Sequence, residues 1–98
     1  MNEEEFLAKF EEFNDEYSKS ENLFNRLNTD DIINALLMMQ PFALYEHSIV
    51  SGANHDVINL GVSMNKLLQS NPTDDFIKDM LRTGISYDSD YNTFYLFT

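Results

Sequence analysis

The sequence predicts a mainly α fold, a small single-domain bundle of five or six short helices with a C-terminal β-hairpin, over residues 1–98. Apolar residues recur at spacings of three and four through most of the chain, which is typical of amphipathic helices. Residues that cap helices well precede several of these runs. After Gly84 the spacing changes to alternation, which is typical of strands. With 98 residues, 43% of them hydrophobic, and no cysteine, the chain can form one core without disulfide bonds.

The first helix is predicted from residue 3 to about residue 18. Four aromatic residues follow one stripe at spacings of four, three and four, namely Phe6, Phe10, Phe13 and Tyr17. Asn2 is a good N-cap, and the glutamates that follow it suit the positive end of the helix dipole. The aromatic stripe should therefore face the core and leave the acids in solvent.

The later helices are bounded by residues that start or stop helices. Pro41 ends one helix and opens the next, Gly52 stops that one, and Gly84 stops the last. Asn54 and Thr73 are candidate N-caps. The predicted helices after the first lie at about 21–27, 30–40, 42–51, 55–70 and 74–83.

The C-terminal segment is predicted to be a hairpin over about 85–97. Aromatic and β-branched residues alternate with others there, and Asp88-Ser89-Asp90 is typical of a turn. Because an isolated hairpin is marginal in water, it should pack on the helices or pair with another chain.

The net charge of −11 restricts the partners of this chain. Seventeen acids against six bases would repel phosphate backbones and attract basic proteins, so we expect no direct nucleic-acid binding. The longest apolar stretch, residues 32–50, contains charged and polar residues, which predicts a buried helix and no membrane span. The lack of cysteine and the acidic N-terminus predict a cytoplasmic protein, in the host cytoplasm if the chain is viral.

Motifs for catalysis, metals or cofactors are weak. Residues 88–92 match the start of a calcium loop, but Thr93 replaces the required glycine, so a polar turn is the better interpretation. His47 and His55 lack the spacing of a zinc site, and Ser63 lies in no nucleophile motif. The sequence therefore predicts no enzyme activity, no metal and no cofactor.

The acids of the first helix are the candidate partner-binding residues. Two lysines relieve their mutual repulsion, fewer than a helix built only for solubility would carry. Rows of carboxylates on a helix can imitate phosphates, whereas a merely solvated face is the competing interpretation. The candidates are Glu4, Glu5, Glu11, Glu12, Asp15 and Glu16.

Three functional hypotheses follow. The first is a non-enzymatic acidic inhibitor, a DNA mimic or decoy that blocks a basic nucleic-acid-binding protein or complex, as viral anti-defence or host-takeover proteins do. The second is an immunity protein that neutralises one toxin. The third is a structural subunit that self-associates, as a homodimer, through its C-terminal hairpin.

Overall fold

Strands, not helices, occupy the middle of the chain. A computed structural model, in which residues 1–97 are described, shows four α-helices and a four-stranded antiparallel sheet. The elements in chain order are α1 (Glu3–Glu12), α2 (Asp31–Met39), β1 (Val50–Asn54), β2 (Val57–Leu60), α3 (Met64–Gln69), α4 (Asp74–Arg82), β3 (Ile85–Asp88) and β4 (Thr93–Phe97). Three short 3₁₀ turns lie at Asn14–Glu16, Ser20–Asn22 and Gln40–Phe42. The protein therefore has an α+β fold, and the prediction of a mainly α bundle is wrong.

The error lies mainly in two predicted helices, 42–51 and 55–70. Their junction forms a hairpin of β1 and β2, and only the end of the second range is helical, as α3. Val50, Val57 and Ile58 are β-branched, and such residues favour strands over helices. The turn between the strands contains His55 with φ 34°, a conformation that ends any helix.

The helices predicted near the N-terminus are shorter than expected. The helix predicted over 3–18 ends at Glu12 and is followed by the 3₁₀ turn, and Ser18 has φ 59°. The helix predicted over 21–27 is one 3₁₀ turn followed by irregular backbone. Helix α2 starts one residue later than predicted, because the Asp30 side chain accepts the Ile33 N–H and makes Asp30 its N-cap.

The predictions for α1's start and for the C-terminal third are confirmed. Asn2 caps α1, and Thr73 caps α4, which ends close to the predicted position. Strands β3 and β4 form the expected antiparallel hairpin. The strand order β1-β2-β4-β3, however, places β4 between two neighbours. Of the predicted hairpin, only β3 therefore has a free edge.

The core lies between the helices and one face of the sheet. Phe94 of β4 is at its centre, with ring centroids 6.2 Å from Phe6 and 5.9 Å from Phe10. Leu96, two residues on, is also buried, because alternate residues of a strand share a face. Phe97 belongs to the opposite face and is 56% exposed. Other residues of that face, such as Tyr95 and Ser86, are half-buried.

The segment between α1 and α2 is held by two buried polar side chains. The Asp79 carboxylate of α4 accepts the N–H groups of Phe24 and Asn25 at 2.8 and 3.0 Å. The Asn34 carbonyl oxygen of α2 accepts those of Leu27 and Asn28 at 2.6 and 2.9 Å. These bonds satisfy backbone donors that no regular element serves, so the irregular segment has a defined path.

Each helix found in residues 1–97 is too short or too polar to span a lipid bilayer. The apolar stretch 32–50 is divided between α2, a 3₁₀ turn and a loop leading to β1.

Candidate partner-binding face and the adjoining groove

The six candidate acids do not all lie on α1. Four of them are exposed on the helix, Asp15 is exposed on the following 3₁₀ turn, and Glu16 on the same turn is partly buried. We use the term α1 acidic face for the five exposed members, Glu4, Glu5, Glu11, Glu12 and Asp15. Among residues 1–97 none of these five carboxylates forms an ion pair.

Glu16 is engaged inside the fold. Its Oε2 atom accepts from Arg82 Nε at 2.9 Å, and Arg82 Nη1 donates to Asp79 Oδ1 at 3.0 Å. The hydrogen bond from Arg82 lowers the pKa of Glu16, an effect that its partial desolvation opposes. The carboxylate of Glu16 therefore joins the 3₁₀ turn to α4 and is not free to meet a partner.

The cation nearest the α1 acidic face is also engaged elsewhere. Lys9 of α1 pairs with Asp74 at the start of α4. This hydrogen bond is the main reason that the pKa of Lys9 is raised, and the charges of Glu12 and Glu5 add to it. The ammonium group thus reduces the field of these two glutamates without forming a direct pair with either.

Four further cationic side chains are held by the protein itself. Arg26 bonds to loop carbonyls and to Asp31, while Lys66 donates to the Ala43 carbonyl at 2.9 Å. Lys78 lies 4.9 Å from the centre of the Phe13 ring, and Arg82 belongs to the buried network. Five of the six bases therefore form ion pairs, hydrogen bonds or a cation–π contact within the chain, and the exposed acids of α1 determine the sign of the charge on their surface.

An open groove of about 820 Å³ lies beside this face, between α1 and the edge strand β3. Leu7, Phe10 and Glu11 line it from α1, and Asn14 and Tyr17 continue that side beyond the helix. We call this feature the α1–β3 groove. Its helical side is apolar at the base, with the carboxylate of Glu11 on the same side.

The opposite side of the groove is formed by the sheet. Ser86 and Tyr87 of β3 line it, and so do Tyr95 and Phe97 from the face of β4 opposite Phe94. The rings of Tyr95 and Phe97 stand edge to face, with centroids 5.4 Å apart. Ser86 pairs with Tyr95 across the strands, so its small side chain leaves that ring accessible.

Tyr87 is fixed in its position. Its ring packs edge to face on Phe94 at 4.9 Å, and its hydroxyl bonds to the Asn92 side-chain oxygen at 3.3 Å. Partial burial raises the pKa of Tyr87, and the charges of Glu3 and Asp88 add to the effect. The ring of Tyr87 therefore forms a fixed part of the groove wall.

The weaker motifs have structural roles or lie apart from the groove. Asp88 accepts the Asp90 N–H at 2.9 Å within the hairpin turn, as the interpretation of residues 88–92 as a polar turn predicts. His55 lies in the β1–β2 turn, His47 lies in the loop before β1, and Ser63 caps α3. In the part of the chain that the structure describes, no three His, Asp or Glu side chains are grouped to hold a metal ion.

No known protein family, curated protein or solved structure matches this chain. Its function must therefore be argued from the chemistry of its own surface.

The sequence predicted the acids but not the groove. The alternation around Phe94 and Leu96 was enough to assign Tyr95 and Phe97 to one face of a strand. Nothing in that alternation says that β3 is an edge, because its position depends on β2 pairing with the other side of β4.

Proposed function

We propose that this protein is a non-enzymatic inhibitor that binds a basic protein through the α1 acidic face and blocks a surface that otherwise holds nucleic acid. The observation that carries the proposal is the group of five exposed carboxylates without ion pairs. The neighbouring cations Lys9 and Arg82 pair with other acids of the chain, Asp74 and Glu16. A decoy of the DNA-mimic type needs this arrangement, because a carboxylate paired within its own chain offers little to a partner.

The physics of such a complex is mainly electrostatic. A protein of net charge −11 approaching a basic groove associates quickly, and added salt slows the association. At physiological ionic strength the Debye length is about 8 Å, so the contact must be close for the charges to contribute. The proposal includes a cytoplasmic setting, that of the host cell if the chain is viral.

The test is binding to a panel of basic nucleic-acid-binding proteins at low and high salt, with competing DNA present. We expect at least one member to bind at low salt, to release the chain at high salt and to lose its DNA when the chain is added. Binding that does not respond to salt, or that leaves the DNA in place, would contradict the proposal.

A matched pair of variants separates the α1 acidic face from the net charge. The first variant changes the five acids of the face to their amides, and the second changes five exposed acids elsewhere, Glu21, Glu46, Asp56, Asp75 and Asp90. Both have the same net charge. The first should lose most of its affinity and the second should keep most of it, whereas equal losses would mean that only the total charge matters.

A further inference from the structure

We propose that the α1–β3 groove binds an extended cationic segment of the partner, which adds to the sheet as a fifth strand beside β3. This inference rests on the proposed function, because it names the part of the basic partner that the same surface recognises. It differs from the proposed function in requiring backbone pairing and a side-chain pattern, not charge alone.

The first support is the free edge of β3. The strand order β1-β2-β4-β3 gives β3 hydrogen-bond partners on one side only. An unpaired strand edge presents N–H and C=O groups to any extended chain that can reach it. Natural proteins protect such edges with short strands, charged residues, proline or bulges; β3 (Ile85–Asp88) is short and carries one acid, Asp88, but has no lysine or proline.

The second support is that the edge borders a groove and not a flat surface. Ser86 and Tyr87 of β3 line the groove opposite Leu7 and Phe10 of α1. A peptide strand lying there would pair with β3 through its backbone and bury alternate side chains against α1. The remaining side chains would lie beside Tyr95 on the face of β4 opposite Phe94.

The third support is charge, which identifies the occupant. Glu11 lines the groove and Asp15 follows it on the adjoining turn, and neither forms an ion pair within residues 1–97. Lysine or arginine could meet these carboxylates, with the aliphatic stem on the apolar base of the groove. The rings of Tyr95 and Phe97, on the other face of the sheet, offer an apolar surface to the alternate set of side chains.

The same charge argues against a second copy of this chain as the occupant. Two copies paired edge to edge through β3 would bring together two grooves that are each lined by a Glu11 carboxylate. Each copy carries −11, so association would be opposed by repulsion over the whole interface. The occupant is therefore an extended segment in which basic and apolar residues alternate.

The first experiment measures fluorescence anisotropy with a labelled eight-residue peptide of alternating lysine and valine, bound to the intact chain. The control peptide has the same composition in two blocks, four lysines followed by four valines. We expect the alternating peptide to bind about tenfold more tightly, because only it can direct its valines and lysines to different sides of an added strand. Equal affinities would overturn the proposal.

Backbone pairing is tested with two N-methylated forms of the alternating peptide. One form is methylated on every valine and the other on every lysine, so each removes one of the two alternate sets of N–H groups. In an antiparallel strand only one set points to the neighbouring strand. One form should therefore lose about tenfold in affinity and the other much less, whereas similar losses for both would contradict strand addition.

Charge-reversal variants locate the peptide. Glu11→Lys, in the groove, should weaken peptide binding about tenfold, and Glu12→Lys, on the same helix but outside the groove, should weaken it less. Glu21→Lys is the distant control, because Glu21 is exposed on the 3₁₀ turn Ser20–Asn22 and does not line the groove. Equal losses for Glu11→Lys and Glu12→Lys would place binding on the α1 acidic face at large and overturn the groove.

The outcomes for the groove and for the proposed function can be told apart. If basic proteins bind in a salt-sensitive manner but the two peptides bind alike, the inhibitor proposal stands and strand addition falls. If the peptide binds as expected but no basic nucleic-acid-binding protein does, the groove stands and the inhibitor proposal falls. If light scattering shows that the free chain is a dimer and neither peptide binds to it, a second copy is the better occupant of the edge and this inference is overturned.

Discussion

Two groups of acids in this protein differ in a way that the sequence does not show. On the α1 acidic face, carboxylates such as Glu4 and Glu11 are exposed and form no ion pair within residues 1–97. Between α4 and the segment after α1, the carboxylates of Asp79 and Glu16 hold Arg82, and the side chain of Asp79 is only 4% exposed. One region is available to a partner and the other organises the fold.

The comparison shows that net charge alone cannot indicate which acids bind. Asp79 accepts two backbone N–H groups and a guanidinium N–H, so its charge is compensated entirely within the molecule. Removing such a group exposes the cost of desolvating its partners, whereas removing an exposed acid does not. The difference between the two regions should therefore appear as stability in one and as affinity in the other.

The largest effect is expected for Asp79→Ala. It leaves the N–H groups of Phe24 and Asn25 without their acceptor and removes one of the two carboxylates that bind Arg82. Breaking a buried ion pair by removing one partner costs about 3 to 5 kcal/mol, so the free energy of unfolding in urea should fall by that amount. A decrease in the free energy of unfolding of less than about 1 kcal/mol would mean that the network contributes little to the stability of the fold.

A double-mutant cycle with Arg82→Met sharpens this prediction. If part of the cost of Asp79→Ala comes from Arg82 left with one partner, the double variant should be more stable than the sum of the single changes implies. Strict additivity would assign the whole loss to the backbone donors.

Asn34→Ala should have the next largest effect. It removes the acceptor of the Leu27 and Asn28 N–H groups, which costs about 1 to 3 kcal/mol for donors left unsatisfied. The loss is limited because the buried Nδ2 atom of Asn34 has no partner within residues 1–97, and that unsatisfied donor disappears too. Amide exchange should accelerate at residues 27 and 28 and change little at 24 and 25, which Asp79 still holds.

How much of the fold the sequence predicts depends on whether the local signals agree. For α1 and α4, the cap, the acids of the first turn and the apolar spacing all indicate a helix, and both helices are present. For residues 50–60 the signals conflict. Asn54 can cap a helix or end a strand, and the turn at His55 is settled by the pairing of β1 with β2.

The candidate site was also predictable only in part. Composition and helical spacing identify the acids, because exposure on an amphipathic helix follows from the aromatic stripe. They cannot show that Glu16 binds Arg82, since the two residues are 66 positions apart. Nor can they locate the groove, which exists because α1 packs beside an edge strand formed by the end of the chain.

The third prediction concerns the pH dependence that Glu16 confers. Because Arg82 lowers the pKa of Glu16 in the folded chain, the ionised carboxylate stabilises the fold at pH values above its unfolded pKa. That contribution is lost as the pH falls through the lower, folded pKa. Urea unfolding of wild type and Glu16→Gln from neutral to acid pH should show a stability difference that is constant at neutral pH and shrinks in acid. A difference that does not change with pH would mean that the ion pair contributes nothing.

The smallest effect on stability is expected on the α1 acidic face, and this is where the comparison between the two regions can fail. Glu4→Gln and Glu11→Gln remove exposed carboxylates, and surface changes of this kind alter the free energy of unfolding by less than about 0.5 kcal/mol. Glu4 lies in the first turn of α1, where its charge suits the helix dipole, so the first change should cost slightly more than the second. If either variant lost as much stability as Asn34→Ala, its carboxylate would be part of the fold and not a free contact. Stability within the stated range, combined with weaker binding to a basic partner, would show that this face contributes to recognition, whereas the Asp79 network contributes to the stability of the fold.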